Sequence, residues 1–159
     1  MPLLIEFKSG DKLIINGAVM ENAGANTKLL VRNESAVLRE KEVLSIGDTN
    51  TPASRAYFAL QCAYIFPGKK DEYLEKFNGL IDDFLAASPS SKEIIDGIKE
   101  EIAAGRIYKA LKKSQTLISH EAEIFKSFSH SIEQSLNEIE QDSDLTLTSE
   151  ETENSPESN

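Results

Sequence analysis

The chain has 159 residues, 40% of them hydrophobic and 28% charged, with one cysteine. That suffices for one compact domain or two small interlocked modules with a true core, and it excludes a chain disordered throughout. The formal charge of −10 is unevenly placed: eight of the 27 acidic residues lie from Glu138 onward, where there is no Lys or Arg, so residues 1–137 carry 17 positive charges against 19 negative and are nearly neutral.

The N-terminal Met1-Pro2-Leu3-Leu4-Ile5-Glu6 meets a charge too early for the apolar region of a signal peptide. No later apolar run approaches membrane-spanning length, so the expected location is the cytoplasm, without membrane contact. Residues 3–46 read as short strands. Leu3, Ile5 and Phe7 alternate with other residues, Ser9-Gly10-Asp11 makes a turn, and Leu13-Ile14-Ile15 resumes. Asn16-Gly17 tolerates the positive φ of a two-residue hairpin and leads into Ala18-Val19-Met20. A looser turn over residues 22–26 precedes Lys28-Leu29-Leu30-Val31-Arg32, and Asn33-Glu34 turns into Ala36-Val37-Leu38-Arg39, with Val43-Leu44 as an extension of the last strand. The expectation is four to five antiparallel strands in a module spanning residues 1–48.

Helical spacing starts at Thr51-Pro52, where Thr caps free amides and Pro at the first helical position loses nothing by lacking its own. This first helix is expected to run to about Ile65 and to stop at Pro67-Gly68. Tyr73, Leu74, Phe77, Leu80, Ile81, Phe84 and Leu85 recur at intervals of three and four, predicting a helix over 71–87. Ser90 with Glu93 has the pattern of a capping box for a third helix carrying Ile94, Ile95, Ile98 and Ile102, and Gly105 sits where a left-handed C-cap belongs. A last helix, from near Arg106 to about Ile139, carries a narrow apolar seam through Phe125, Phe128, Ile132, Leu136 and Ile139. The fold class is therefore α+β: the β module, a helical module of about four helices over 51–139, and an acidic tail over 140–159 whose Ser, Thr, Asn and Glu content predicts disorder.

Catalytic sets are hard to assemble from these residues, which argues against an enzyme. His120 and His130 have no Cys, His or Glu at a metal-ligand spacing and read as solvent-facing helix residues. Cys62, among Leu60, Ala63 and Ile65, reads as a buried apolar residue of a reducing compartment and has no base near it in sequence. The glycines form no phosphate-cradling loop, and pairs such as Asp82-Asp83 and Glu100-Glu101 read as solvated helix surface. No cofactor or metal is expected.

The β module carries Lys8, Lys12, Lys28, Arg32, Arg39 and Lys41, several at strand ends where a side chain reaches a phosphate, but seven acids lie among them. A solvated sheet surface and a nucleic-acid contact both remain open on charge alone. Three ordered stretches add weight to the nucleic-acid contact: Ile14-Ile15-Asn16-Gly17-Ala18-Val19, then Ala36 through Leu44, then Thr51 through Tyr64. With Tyr73-Leu74, Ala104-Gly105 and Tyr108-Lys109-Ala110-Leu111-Lys112 they resemble the FlbT family of flagellar regulators of alphaproteobacteria, over roughly residues 2–121. The likeness departs from the family near Cys62 and beyond about Ile124.

The resemblance implies post-transcriptional control of flagellin, through the leader of flagellin messenger RNA and in opposition to a second small regulator, FlaF. On that reading Arg32, Arg39 and Lys41 make phosphate and base-edge contacts, Lys12 is a rim contact, and Arg55 with Tyr57 stacks on an exposed base. Each has a plainer counterpart. Arg39-Glu40-Lys41-Glu42 also reads as a self-neutralising strand end, and helical placement favours packing for Tyr57, Phe58 and Tyr64. A competing function is a protein-binding adaptor acting through flagellin or a FlaF-like partner, for which the seam and acidic tail are suited. The seam also fits a homodimer.

Overall fold

The computed structural model describes residues 2–150, with side chains through Leu145. Five short strands come first: β1 (Leu3–Phe7), β2 (Lys12–Ile15), β3 (Ala18–Glu21), β4 (Thr27–Val31) and β5 (Val37–Arg39). They form two antiparallel sheets, one of β1 and β4 and one in the order β3-β2-β5. The β2–β3 hairpin closes as expected at Asn16 (φ 50°) and Gly17 (φ 85°), and its register pairs Leu13 with Met20 and Ile15 with Ala18. Gly17 is doubly constrained, because a Cβ there would lie 3.0 Å from the Phe66 ring.

Alternation along the strands gives the three-stranded sheet two buried faces. Leu13 and Val37 point to one side, where Ile5, Phe7, Leu29 and Val31 of the two-stranded sheet cover them in a small core. Ile14 and Leu38 point to the other side and join the main helical core. Val43 and Leu44 do not extend β5; they follow a 3-10 turn over Glu40–Glu42 and pack on the helices.

Four helices follow: α1 (Pro52–Ile65), α2 (Lys70–Ala87), α3 (Lys92–Ala103) and α4 (Ile107–Glu150). The protein is thus α+β, strands first and helices after. Thr51 caps α1: its Oγ1 accepts the Ser54 N–H at 3.2 Å while the Ser54 Oγ accepts the Thr51 N–H at 2.9 Å. Alanines at 53, 56, 59 and 63 bury this helix nearly all round. Phe77, Ile81 and Phe84 of α2 and Ile95 and Ile98 of α3 complete the core, each worth about 1.5–3 kcal/mol of burial.

Two local expectations change. The N-cap of α3 is Ser91, in helical conformation, and not Ser90: the helix begins after a 3-10 turn at Pro89–Ser91, and the Ser91 Oγ donates to the Ser88 carbonyl at 2.5 Å. Glu101 is not solvated surface either. Arg106 Nε (2.5 Å) and Lys113 Nζ (3.0 Å) clamp it and hold its carboxyl down at about 2. Gly105 (φ 76°) makes this possible, closing α3 with its own N–H on the Ile102 carbonyl and the Arg106 N–H on that of Glu101.

By its internal contacts the chain divides into two units, residues 1–119 and 120–159. The first holds all strands, α1–α3 and the start of α4. The second continues α4 past Ile139 through residues 140–150, since no Gly or Pro interrupts the sequence before Pro156. Residues 151–159 of the expected tail lie outside the described residues. Among the described residues no helix is long and apolar enough to cross a membrane.

Candidate nucleic-acid interface

Lys8, Lys12, Arg39 and Lys41 line one cleft of about 320 Å³ on the β module, with Glu6, Asp11 and Glu40 on its walls and Leu13 in its lining. Backbone geometry puts them there. Arg39 is the register partner of Leu13 and shares its face, while Lys8 and Lys12 bracket the Ser9-Gly10-Asp11 turn. That turn is tied down from several sides. The Gly10 N–H donates to the Asn22 carbonyl (2.8 Å), the Ser9 N–H to the Asn26 side chain (2.9 Å) and the Lys8 N–H to the Asp11 carboxylate (3.0 Å). The Asn22 side-chain amide donates onward to the Phe7 and Ala25 carbonyls, at 2.7 and 3.0 Å.

The fate of Arg39-Glu40-Lys41-Glu42 resolves its two sequence readings in part. Glu40 reaches Lys12 only at 4.0 Å, between two exposed side chains. Glu42 turns inward and is 7% exposed. Its Oε2 accepts the Arg39 N–H at 3.0 Å, and its Oε1 accepts the Tyr108 hydroxyl at 2.8 Å and the Lys112 ammonium. Burial pushes its carboxyl up, but the Lys112 ammonium, the Arg39 N–H and the Tyr108 hydroxyl outweigh it and hold the group below its ordinary value. Glu42 therefore does not neutralise the strand end. Among the described residues no carboxylate lies within ion-pair distance of Arg39 or Lys41.

The same segment is held to the helices by one face of α1. The Tyr57 hydroxyl donates to the Glu42 carbonyl at 2.5 Å. The Gln61 amide brackets Leu44, accepting its N–H at 2.8 Å and donating to its carbonyl at 2.9 Å. The Tyr64 hydroxyl takes the Val37 N–H at 3.2 Å, on the β5 edge away from β2. Tyr57, Gln61 and Tyr64, spaced four and three apart, supply the hydrogen bonds that a neighbouring strand would otherwise give. Tyr57 is 2% exposed, so it packs and does not stack on a base. Sequence reading missed this joint, although Tyr57, Gln61, Tyr64, Tyr108 and Lys112 all lie within the motifs quoted above. The i, i+4 pair of Tyr108 and Lys112 was its one available signal.

Two of the expected contact residues lie elsewhere. Arg32 follows β4 at the end where Val31 pairs with Leu3, whereas Lys8 follows β1 at the end where Phe7 pairs with Thr27. The five-residue ladder between them spans about 17 Å. Arg55 lines a separate apolar hollow with Phe58, Tyr73 and Leu80, and its Nε donates to the Thr49 carbonyl at 3.4 Å. Cys62 is buried, and burial pushes its thiol up, away from the reactive thiolate. Among the described residues no group of three or more His, Cys, Asp or Glu is placed to hold a metal.

The α+β scaffold thus carries a surface cleft of mixed charge on its β module, and burial pushes its one thiol up. The family model described as "Flagellar protein FlbT" matches residues 3–125. The chain belongs to the FlbT family, a family of regulators that is not a known enzyme family. It is 34% identical over 127 residues to the probable flagellum biosynthesis repressor protein FlbT of Rhodopseudomonas palustris (strain TIE-1), covering 78% of this chain and 98% of the relative. It is 35% identical over 125 residues to the probable flagellum biosynthesis repressor protein FlbT 1 of Bradyrhizobium diazoefficiens, covering 78% and 85%. The flagellum biosynthesis repressor protein FlbT of Caulobacter vibrioides is 31% identical over 125 residues, covering 77% and 89%. No solved structure matches.

Proposed function

We propose that the protein represses flagellin synthesis after transcription, in the cytoplasm, by holding the leader of flagellin messenger RNA in the cleft of the β module and lowering its translation or lifetime. The observation that supports this reading is the inward turn of Glu42. It removes one of the two carboxylates of Arg39-Glu40-Lys41-Glu42 from the strand end, and the other, Glu40, approaches Lys12, which leaves Arg39 and Lys41 without ion pairs next to Lys8 and Lys12. A guanidinium and three ammonium groups around one cleft suit the phosphates and base edges of a single strand. The acids Glu6, Asp11 and Glu40 on its walls disfavour a phosphate placed off this track, which favours a defined path over indiscriminate binding.

The test is a titration of labelled flagellin-leader RNA at two salt concentrations, with wild type and with Arg39→Ala/Lys41→Ala. The double variant is expected to bind at least about tenfold more weakly and to lower the slope of log affinity against log salt by about 1.4. Unchanged affinity and slope in folded double variant would sink the proposal.

A further inference from the structure

We propose that the distal half of α4, from Phe125 to Ile139, is a docking stripe for a cationic amphipathic helix of another protein. This rests on no part of the RNA reading. Phe125, Phe128, Ile132, Leu136 and Ile139 are 45–64% exposed. At 100° per residue they fall within an arc of about 80°, a continuous apolar stripe on one side of the helix. Five large side chains so arranged are the i, i+3, i+4, i+7 anchors by which one helix recognises another.

Charge identifies the occupant. From Phe125 to Leu145 the sole Lys or Arg is Lys126, against Glu133, Glu138, Glu140, Asp142 and Asp144. Glu133 and Glu140 border the stripe on one side, and Glu138 and Asp142 on the other, by the same angular spacing. A stripe rimmed by carboxylates on both sides complements a helix whose apolar face is rimmed by Lys and Arg. A second copy fits poorly: over residues 125–145, the stripe and the turn beyond it, each copy carries a net charge of −4, counting one lysine against five acids, so pairing two copies sets acid rim against acid rim. Nucleic acid is repelled for the same reason. The stripe also lies at and beyond Phe125, where the family match ends.

Two labelled synthetic helices of about 18 residues, sharing one Leu/Ile stripe and flanked by Lys/Arg in one and by Glu in the other, test this with the full chain by fluorescence anisotropy. The cationic peptide is expected to bind at least about tenfold tighter than the acidic one and to weaken with salt. Phe128→Gln/Ile132→Gln is expected to lose at least about tenfold of that affinity with helix content unchanged by circular dichroism, and Leu136→Gln/Ile139→Gln, about two turns on, to do the same. Full affinity in both variants would mean that charge alone holds the peptide and would overturn the proposal, as would no binding by wild type. A light-scattering mass near twice 17.6 kDa for wild type, falling to one chain in the variants, would assign the stripe to a second copy and overturn it equally.

Discussion

Residues 39–42 divide between two regions built on opposite terms. Glu42 goes to the joint between strands and helices, where three donors converge on its carboxylate and Tyr57 takes its carbonyl. Arg39 and Lys41 go to the cleft, where no ion pair fixes them. Among the described residues that are not exposed, the joint and the rest of the interior leave no buried side-chain nitrogen or oxygen without a hydrogen-bond partner, whereas in the cleft Arg39 and Lys41 have no ion pair and Lys12 only a 4.0 Å one with Glu40. On the proposed function, such a division would place stability and binding in different side chains of one short segment, so substitutions could separate them.

The largest effect is expected at Glu42. Its replacement by Ala strands the Arg39 N–H, the Tyr108 hydroxyl and the Lys112 ammonium, at a cost of about 2–3 kcal/mol in urea unfolding at neutral pH. The effect has a pH signature. Because the folded carboxyl titrates below its ordinary value of 4.5, its stabilisation is fully present above that pH and is lost as pH falls through the lower folded value. The gap between wild type and Glu42→Ala should therefore narrow below about pH 4.5. A gap that held constant down to pH 2 would show the carboxylate to be incidental and erase the contrast with the cleft.

Tyr57→Phe is next. It removes one hydroxyl and leaves the buried Glu42 carbonyl and the Gln115 amide short of a partner. About 1–2 kcal/mol should be lost, with leader-RNA affinity of the folded protein within about twofold of wild type. A large loss of RNA affinity here would mean that the joint and the cleft act as one site.

The legible parts of this molecule are those set by near neighbours. Asn16-Gly17, Thr51-Pro52 and Gly105 each specify a backbone conformation within a few residues, and each behaves as its chemistry dictates. The stripes of α2 and α3 are legible for the same reason, since periodicity is local. The Glu42 network was not. Its partners lie up to 70 residues away, and an acid between a lysine and a valine looks like solvated surface until the helices close over it. Glu101 was hidden by the same ambiguity. Of the candidate cleft, Lys12, Arg39 and Lys41 could be picked as strand-end cations, but their convergence depends on the β2–β5 register, which pairs Leu13 with Arg39, 26 residues on.

Arg39→Ala/Lys41→Ala reverses the pattern of the joint variants. Both side chains are exposed and without ion pairs, so stability should stay within about 0.5 kcal/mol of wild type while RNA affinity falls by about tenfold, or 1.4 kcal/mol.

The smallest effects are expected at Arg32→Ala and Arg55→Ala, which sharpen the location of the cleft. Arg32 stands at the far end of the β1–β4 ladder, and Arg55 beside an apolar hollow on the helices. A diffuse cationic surface would weaken by a similar factor for each arginine lost, wherever it sits, because counterion release counts charges and not positions. A localised cleft would not: both variants should bind leader RNA within about twofold of wild type, with a salt slope lower by well under 1. Equal losses at Arg32, Arg55 and Arg39 in the same titration would replace the cleft with a general electrostatic face, and the inward turn of Glu42 would then matter to the fold alone.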